Sequence, residues 1–217
     1  MKNTIIFDLD GTLLYTLEDL KNSTNYALEK FSMPKRTLDE IRAFVGNGIR
    51  LLIERAVPEG DKNPLFDDVF AAFKEHYSAH SLDFTRPYDG ITDMLKVAKS
   101  RGFKTAIVSN KIDSAVKELR DVFFPGLIDV AYGESPTVNR KPAPDTVFAA
   151  LAELGSDIGE SVYVGDSDVD VMTAKNAGMD LIAVSWGFRD KDLLRKMGAA
   201  VIIDKPCELL SRIDEMM

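Results

Sequence analysis

Only one cysteine, two histidines and one tryptophan occur in the 217 residues. The lone Cys207 cannot close an internal disulfide or build a cysteine-rich zinc site. Such usage suits a reducing compartment, so a cytoplasmic location is expected. No apolar run approaches the roughly 18 residues of a transmembrane helix. The first, Thr4-Ile5-Ile6-Phe7, is too short for the core of a secretion signal and stops at Asp8. Long basic stretches are missing as well: 27 Lys and Arg face 35 Asp and Glu, a net charge of −8. Electrostatic capture of nucleic acid or of an anionic membrane is therefore not expected. What is present is ordinary for a globular protein, with 45% hydrophobic and 29% charged residues and enough apolar material for a true core. The length allows one large domain or a domain with a smaller companion, as a monomer or homodimer.

From Gly102 onward, short apolar runs alternate with segments of helical spacing. The runs are Phe103 to Val108, Leu127 to Tyr132, Ser161 to Val164, Leu181 to Val184 and Ala200 to Ile203; the helical segments include Ser114 to Val122, Asp145 to Leu154 and Val169 to Ala177. Near-continuous apolar strands alternating with helices predict a parallel sheet covered on both faces. Thr4 to Phe7 reads as one more strand, central because so little of it is polar. The result is an α/β, doubly wound, mainly parallel layout. Residues 15–81 break the rhythm with amphipathic stretches only: Leu17 to Phe31, Leu38 to Phe44, Ile49 to Val57 and Phe66 to His80. Thr16 followed by Asp19 has the spacing of a capping box at a helix start. The expected organisation is a discontinuous catalytic core, 1–14 and 82–217, with an α-helical cap inserted over 15–81. An insertion at a strand's carboxyl end covers the place where open α/β sheets bind ligands.

The strongest chemical signal is Phe7-Asp8-Leu9-Asp10-Gly11-Thr12. Two carboxylates one residue apart in extended backbone project to the same side. Both ionised, they repel unless a cation intervenes or one keeps a proton. Phosphoryl transfer uses that conflict, with one aspartate attacking phosphorus while the other gives a proton to the leaving oxygen beside a hard cation. Gly11 permits a tight turn and the Thr12 hydroxyl can brace the loop. The bland alternative is a surface turn carrying two acids.

Asp8-Leu9-Asp10-Gly11-Thr12 resembles the first motif of the phosphatase branch of the haloacid dehalogenase superfamily. Three further motifs follow in order: Ser109-Asn110, Lys141 before Pro142, and Gly165-Asp166-Ser167-Asp168-Val169-Asp170. The resemblance covers essentially the whole chain and is greatest to phosphoglycolate phosphatase-like enzymes. It implies a Rossmann-like core, magnesium as cofactor and a small phosphate ester as substrate, 2-phosphoglycolate first among them. Asp8 is then the nucleophile and Asp10 the acid–base. Ser109 and the Asn110 amide bind phosphate, and Lys141 balances charge. Carboxylates of Asp8 and Asp166 and the backbone carbonyl of Asp10 are the implied metal ligands, with Asp170 supporting the site from behind. Asp168 is read as a solvated or capping residue.

Phe44-Val45-Gly46-Asn47-Gly48-Ile49-Arg50 opens a helical stretch. Gly46, Asn47 and Gly48 expose N–H groups suited to an anion, and Arg50 suits a substrate carboxylate. The plain alternative is a helix–helix turn with an exposed arginine. The segment is similar to the glycine-containing cap loop of phosphoglycolate phosphatase-like proteins. One position departs from the pattern: Tyr15 stands where many relatives carry aspartate, which bears on the cap hinge or pocket entrance.

His76 and His80, spaced i, i+4, lack the glutamate of a zinc protease motif and read as ordinary helix residues. Trp186-Gly187-Phe188-Arg189 reads mainly as packing near the site edge. Three alternatives accompany hydrolysis of a phosphomonoester: a sugar phosphomutase or a pyrophosphatase of the same superfamily, and a non-catalytic phosphate-binding module. The last is disfavoured because a binding site needs no separate nucleophile and acid.

Overall fold

The computed structural model describes residues 2–136 and 138–216. In chain order it contains β1 (Thr4–Phe7), β2 (Leu14–Tyr15), α1 (Leu17–Lys30), α2 (Leu38–Phe44), α3 (Ile49–Ala56), α4 (Phe66–His80), β3 (Arg86–Pro87), α5 (Ile91–Ser100) and β4 (Lys104–Ile112). There follow α6 (Asp113–Phe123), β5 (Val130–Glu134), α7 (Asp145–Leu154), β6 (Ser161–Gly165), α8 (Asp168–Ala177), β7 (Asp180–Val184), α9 (Lys191–Met197), β8 (Val201–Ile203) and α10 (Leu209–Glu215). No helix among the described residues is long and apolar enough to cross a membrane.

Six strands form one parallel sheet in the order β5-β4-β1-β6-β7-β8. Counted along this sheet alone, that is the doubly wound order 3-2-1-4-5-6, as the apolar runs predict. All four residues of β1 are buried because strands flank it on both sides. Ile5 and Phe7 pack with α5, α6 and α10 residues such as Leu95, Val116 and Ile213. Ile6 faces the opposite layer with Tyr163, Val147 and Ala174. Each of the Ile, Leu, Val and Phe side chains among them contributes about 1.5–3 kcal/mol on burial.

Two expected strands are displaced. The run beginning at Leu127 pairs only from Val130, because Asp129 and the Leu127 carbonyl are tied to Thr105 by its N–H and hydroxyl. β4 continues past Val108 to Ile112, with a register shift against β5 between those residues. Ser109 and Asn110 therefore lie in an irregular part of the strand, not beyond its end.

The chain divides into two compact units: Tyr15–Arg86, which is helical, and the rest of the described chain, which holds the sheet. A two-stranded ribbon, β2 with β3, forms where the chain passes between them. The helical unit extends five residues beyond position 81 because Asp19 holds its far end. The buried Asp19 carboxylate accepts the Phe84 N–H at 3.0 Å, the Thr85 N–H at 2.8 Å and the Thr85 hydroxyl at 2.8 Å. This corrects the capping-box expectation. Thr16 does precede α1, but its side chain makes no capping bond and its buried hydroxyl has no hydrogen-bond partner. Asp19 is committed elsewhere.

Removing the Asp19 carboxylate leaves two N–H groups and a hydroxyl without their acceptor. Asp19→Ala is expected to lower unfolding free energy by about 2–4 kcal/mol, and Asp19→Asn by less, since an acceptor oxygen remains. Urea denaturation followed by circular dichroism checks this.

Candidate active site

The adjacent strands β4, β1 and β6 deliver three of the four motifs at or near their carboxyl ends, and Lys141 comes from the connection between β5 and α7. Asp8 follows β1 directly, and its N–H donates to the Val164 carbonyl of β6 at 2.9 Å. Asp166 follows Gly165, the last residue of β6. Gly11 turns the first loop at φ +94°, and a Cβ there would lie 2.5 Å from an Asp166 carboxylate oxygen. At Gly187, after β7, an added Cβ would meet Asp166 at 2.3 Å. Two glycines thus leave the space that the Asp166 carboxylate occupies.

Lys141 is buried and its ammonium has three partners. It donates to Asp8 Oδ1 at 2.6 Å, to Asp170 Oδ1 at 2.8 Å and to the Tyr163 hydroxyl at 3.1 Å. Burial opposes its charge, but the charges of Asp170 and Asp8 outweigh burial and hold its pKa above that of an ordinary lysine. The Asn110 side chain fixes the lysine's backbone, accepting the Lys141 N–H at 2.8 Å and donating to the Lys141 carbonyl at 3.1 Å. This bracing of the lysine loop was not anticipated by the expectation that Asn110 binds phosphate.

Asp170 is saturated. Tyr163 and Lys141 donate to Oδ1, while the Ser167 N–H and hydroxyl donate to Oδ2. Its second contact is a capping box in which Ser167 caps α8. Asp168, read as solvated or capping, is partly exposed and pairs with Arg189 at 2.9 Å. Asp166 accepts from the Thr12 hydroxyl at 3.1 Å and from the Phe188 N–H at 2.6 Å. Burial and the Asp170 charge nevertheless push its pKa up to about 7. Burial, and then Asp170, likewise raise Asp8 well above the ordinary carboxylate range, against the pull of Lys141.

Asp10 faces different company. Its Oδ1 accepts from Lys111 Nζ at 2.9 Å, and its Oδ2 lies 3.5 Å from the Ser109 hydroxyl. Sequence reasoning passed over Lys111, Tyr163, Ser167 and Gly187. Lys111 was discoverable, since it adjoins Ser109-Asn110; the bend in β4 that aims it was not.

Carboxylate oxygens of Asp8, Asp166 and Asp170 lie within 4.8 Å of one another, all three residues buried, and can hold a metal ion. Three acids against one buried ammonium leave an excess of negative charge, and the donors are all hard oxygens, so the residues fit a divalent cation such as magnesium. With all four lone-pair directions of Asp170 already engaged, Asp8 and Asp166 are the acids with capacity for it.

Gly46, Asn47, Gly48 and Arg50 belong to the helical unit. Gly46 at φ +126° and Gly48 at φ +82° turn the chain from α2 into α3, and Arg55 donates to the Phe44 carbonyl just before them at 2.6 Å. The Arg50 guanidinium lies over the rings of Phe66 and Phe70, 4.8 and 5.7 Å from their centroids, and 3.8 Å from Asp67. Tyr15 packs its ring under the Arg86 guanidinium at 4.6 Å; burial and then Glu18 raise its pKa.

These arrangements accord with comparisons to known proteins. The model of the haloacid dehalogenase-like hydrolases matches residues 5–184. A phosphoglycolate phosphatase of Caulobacter vibrioides is 33% identical over 92% of this chain and 86% of its own length. The pyrophosphatase PpaX of Bacillus pumilus is 31% identical over 96% of this chain and 95% of its own. A solved structure from Lactobacillus delbrueckii subsp. bulgaricus, provisionally assigned as a phosphoglycolate phosphatase, superposes with a TM-score of 0.93 at 37% identity. It covers 98% of this chain and 99% of that one. With the four motif regions gathered at adjoining strand ends and the family match spanning most of the sequence, the chain belongs to the haloacid dehalogenase-like hydrolases, as one of their phosphatases.

Proposed function

We propose that the protein is a magnesium-dependent phosphomonoester hydrolase that works through an aspartyl-phosphate, with 2-phosphoglycolate as leading substrate. The observation that carries the chemistry is the separation of two neighbouring aspartates into distinct environments. Asp8 is buried against Lys141 at 2.6 Å, whereas Asp10 is held by Lys111 and Ser109. A simple binding module has no use for that division of labour.

In the first step an Asp8 oxygen attacks phosphorus in line and the bond to the ester oxygen breaks. Asp10 gives that oxygen its proton. In the second step water attacks the same phosphorus and passes a proton to Asp10. The bond to Asp8 breaks, releasing phosphate and restoring the carboxylate. Lys141 steadies the developing charge and Ser109 orients the phosphoryl oxygens. Asp8 and Asp166, with the Asp10 carbonyl, are the proposed magnesium ligands. When bound, the ion neutralises charge on the transferring group.

The helical unit is proposed as the cap that selects the substrate, with Gly46, Asn47 and Gly48 as anion donors and Arg50 as the carboxylate reader. The support is the phosphoglycolate phosphatase relatives and the arginine that follows their type of glycine loop. A second reading, pyrophosphate hydrolysis, is favoured by the PpaX relative, which matches over nearly its full length. A magnesium-containing panel of phosphoglycolate, pyrophosphate and sugar phosphates separates the two, and a test for isomerised sugar phosphate detects a mutase.

Asp8→Asn is expected to cut phosphate release by roughly 10³-fold or more; near-normal turnover would eliminate Asp8 as nucleophile. Arg50→Leu is expected to raise KM for phosphoglycolate about 10- to 100-fold, the loss of one charge-assisted contact, while neutral sugar phosphates change little. A preference for such sugars in the parent enzyme would defeat the carboxylate reading.

The raised pKa values of Asp166 and Asp8 set the pH dependence of metal binding. Each carboxyl binds a proton more tightly folded than unfolded. Its contribution to stability without metal is therefore greatest below the ordinary carboxylate pKa and is lost as pH rises, for Asp166 toward about 7. Magnesium must displace that proton. The rise in Tm on adding magnesium is expected to be larger at pH 8 than at pH 5.5, and small at both in Asp166→Asn.

A further inference from the structure

We propose that Lys111 is a positioning residue for Asp10, fixing which carboxylate oxygen faces the departing group. This rests on the reading of Asp10 as the acid–base. The Lys111 ammonium holds Asp10 Oδ1 at 2.9 Å, with both side chains largely buried, at 9% and 17% exposure. An oxygen that accepts from an ammonium does not present a proton in that direction, so Oδ2 is the oxygen left to exchange a proton with substrate or water. The same residue also acts through its backbone: the Lys111 N–H donates to the Ser109 hydroxyl oxygen at 3.2 Å, and that hydroxyl lies 3.5 Å from Asp10 Oδ2. One residue thereby constrains both sides of the carboxylate.

The fold is built to put it there. β4 shifts register against β5 between Val108 and Ile112, so Lys111 departs from regular strand pairing. Opposite the shift, β5 carries Gly133, where an added Cβ would lie 2.5 Å from the Lys111 carbonyl and 2.5 Å from Asp113 Cα. Asp113 then accepts the Gly133 N–H at 3.0 Å and locks the crossing. A side chain at 133 and a regular β4 would each move the ammonium away from Asp10.

The test uses leaving groups. An alkyl phosphate needs a proton on its departing oxygen, whereas 4-nitrophenyl phosphate releases an anion that is stable without one. With magnesium present, Lys111→Met is expected to lower kcat/KM for phosphoglycolate, or whichever alkyl phosphate the panel selects, about 10- to 100-fold. For 4-nitrophenyl phosphate, kcat/KM should change less than about threefold. Because Asp10 also serves the hydrolytic step, a burst of nitrophenolate close to the enzyme concentration should precede slow turnover. Lys111→Arg should restore much of the alkyl phosphate rate. An equal loss on both substrates without a burst, or no loss on either, overturns the proposal. Asp10→Asn is the control. If it shows the leaving-group pattern and Lys111→Met does not, only the positioning role fails. If Asp10→Asn also lacks the pattern, the acid–base reading fails with it. Should Lys111→Met not fold, as judged by its circular dichroism spectrum, Lys111→Gln carries the same comparison.

Discussion

The buried ammonium of Lys141 is the interaction around which the site is assembled. An ammonium taken out of water is costly unless paired, and here Asp8, Asp170 and the Tyr163 hydroxyl oxygen each accept a hydrogen bond from it. Those partners come from β1, α8 and β6, while the Asn110 amide of β4 fastens the lysine's backbone. The cation therefore ties together the three strand ends that a doubly wound sheet brings close. Removing any one partner leaves charge or a polar group stranded in the interior, which is why these residues act as a set.

Close approach is the second constraint, and it is met by absent atoms. Asp166 sits where Cβ atoms on Gly11 and Gly187 would collide with it, and Asp170 where a Cβ on Gly165 would lie 2.4 Å away. The acids are packed against backbone, shielded from water and forced near one another. Their mutual repulsion is the direct consequence of that packing, and it is what makes a divalent cation a fitting guest. Charge density here is a product of steric design at neighbouring positions.

Much of this was legible in the sequence, for identifiable reasons. Four-residue β1 is buried on both faces, so its pattern could read only as a central strand. The amphipathic stretches of 15–81 had no competing period, and all four helix starts and two of the four ends fell where the spacing put them. The motif acids were legible because Asp8, Asp10 and Asp166 closely follow strand ends and Asp170 lies in the first turn of the helix after β6. What escaped was whatever depends on contacts distant in sequence. Asp19 had the spacing of a capping residue, yet its partners are 65 and 66 residues away. Tyr163 looked like one more apolar strand residue, although its hydroxyl reaches Lys141 and Asp170. Lys111 carried no signal of its own in the sequence, because it lies in the stretch where β4 shifts register against β5. Local pattern carries elements; it does not carry the pairing of side chains across them.

The net charge of −8 makes the final point about scale. A protein that is acidic overall must still hold an anionic ester, and the long-range field does not help it. The structure places one lysine against each of the two first-motif aspartates: Lys141 on Asp8 and Lys111 on Asp10. Two adjacent carboxylates that would otherwise compete for a single proton or a single cation are thus assigned separate partners. Lys141 has three protein partners and little freedom, which suits a group that steadies charge on a fixed phosphorus. Lys111 fixes Asp10 Oδ1, and on the proposed reading Oδ2, beside the Ser109 hydroxyl, is the oxygen whose proton moves. On the proposed mechanism, the difference between the nucleophile and the acid–base, two residues apart in one loop, is therefore a difference between the cations that hold them.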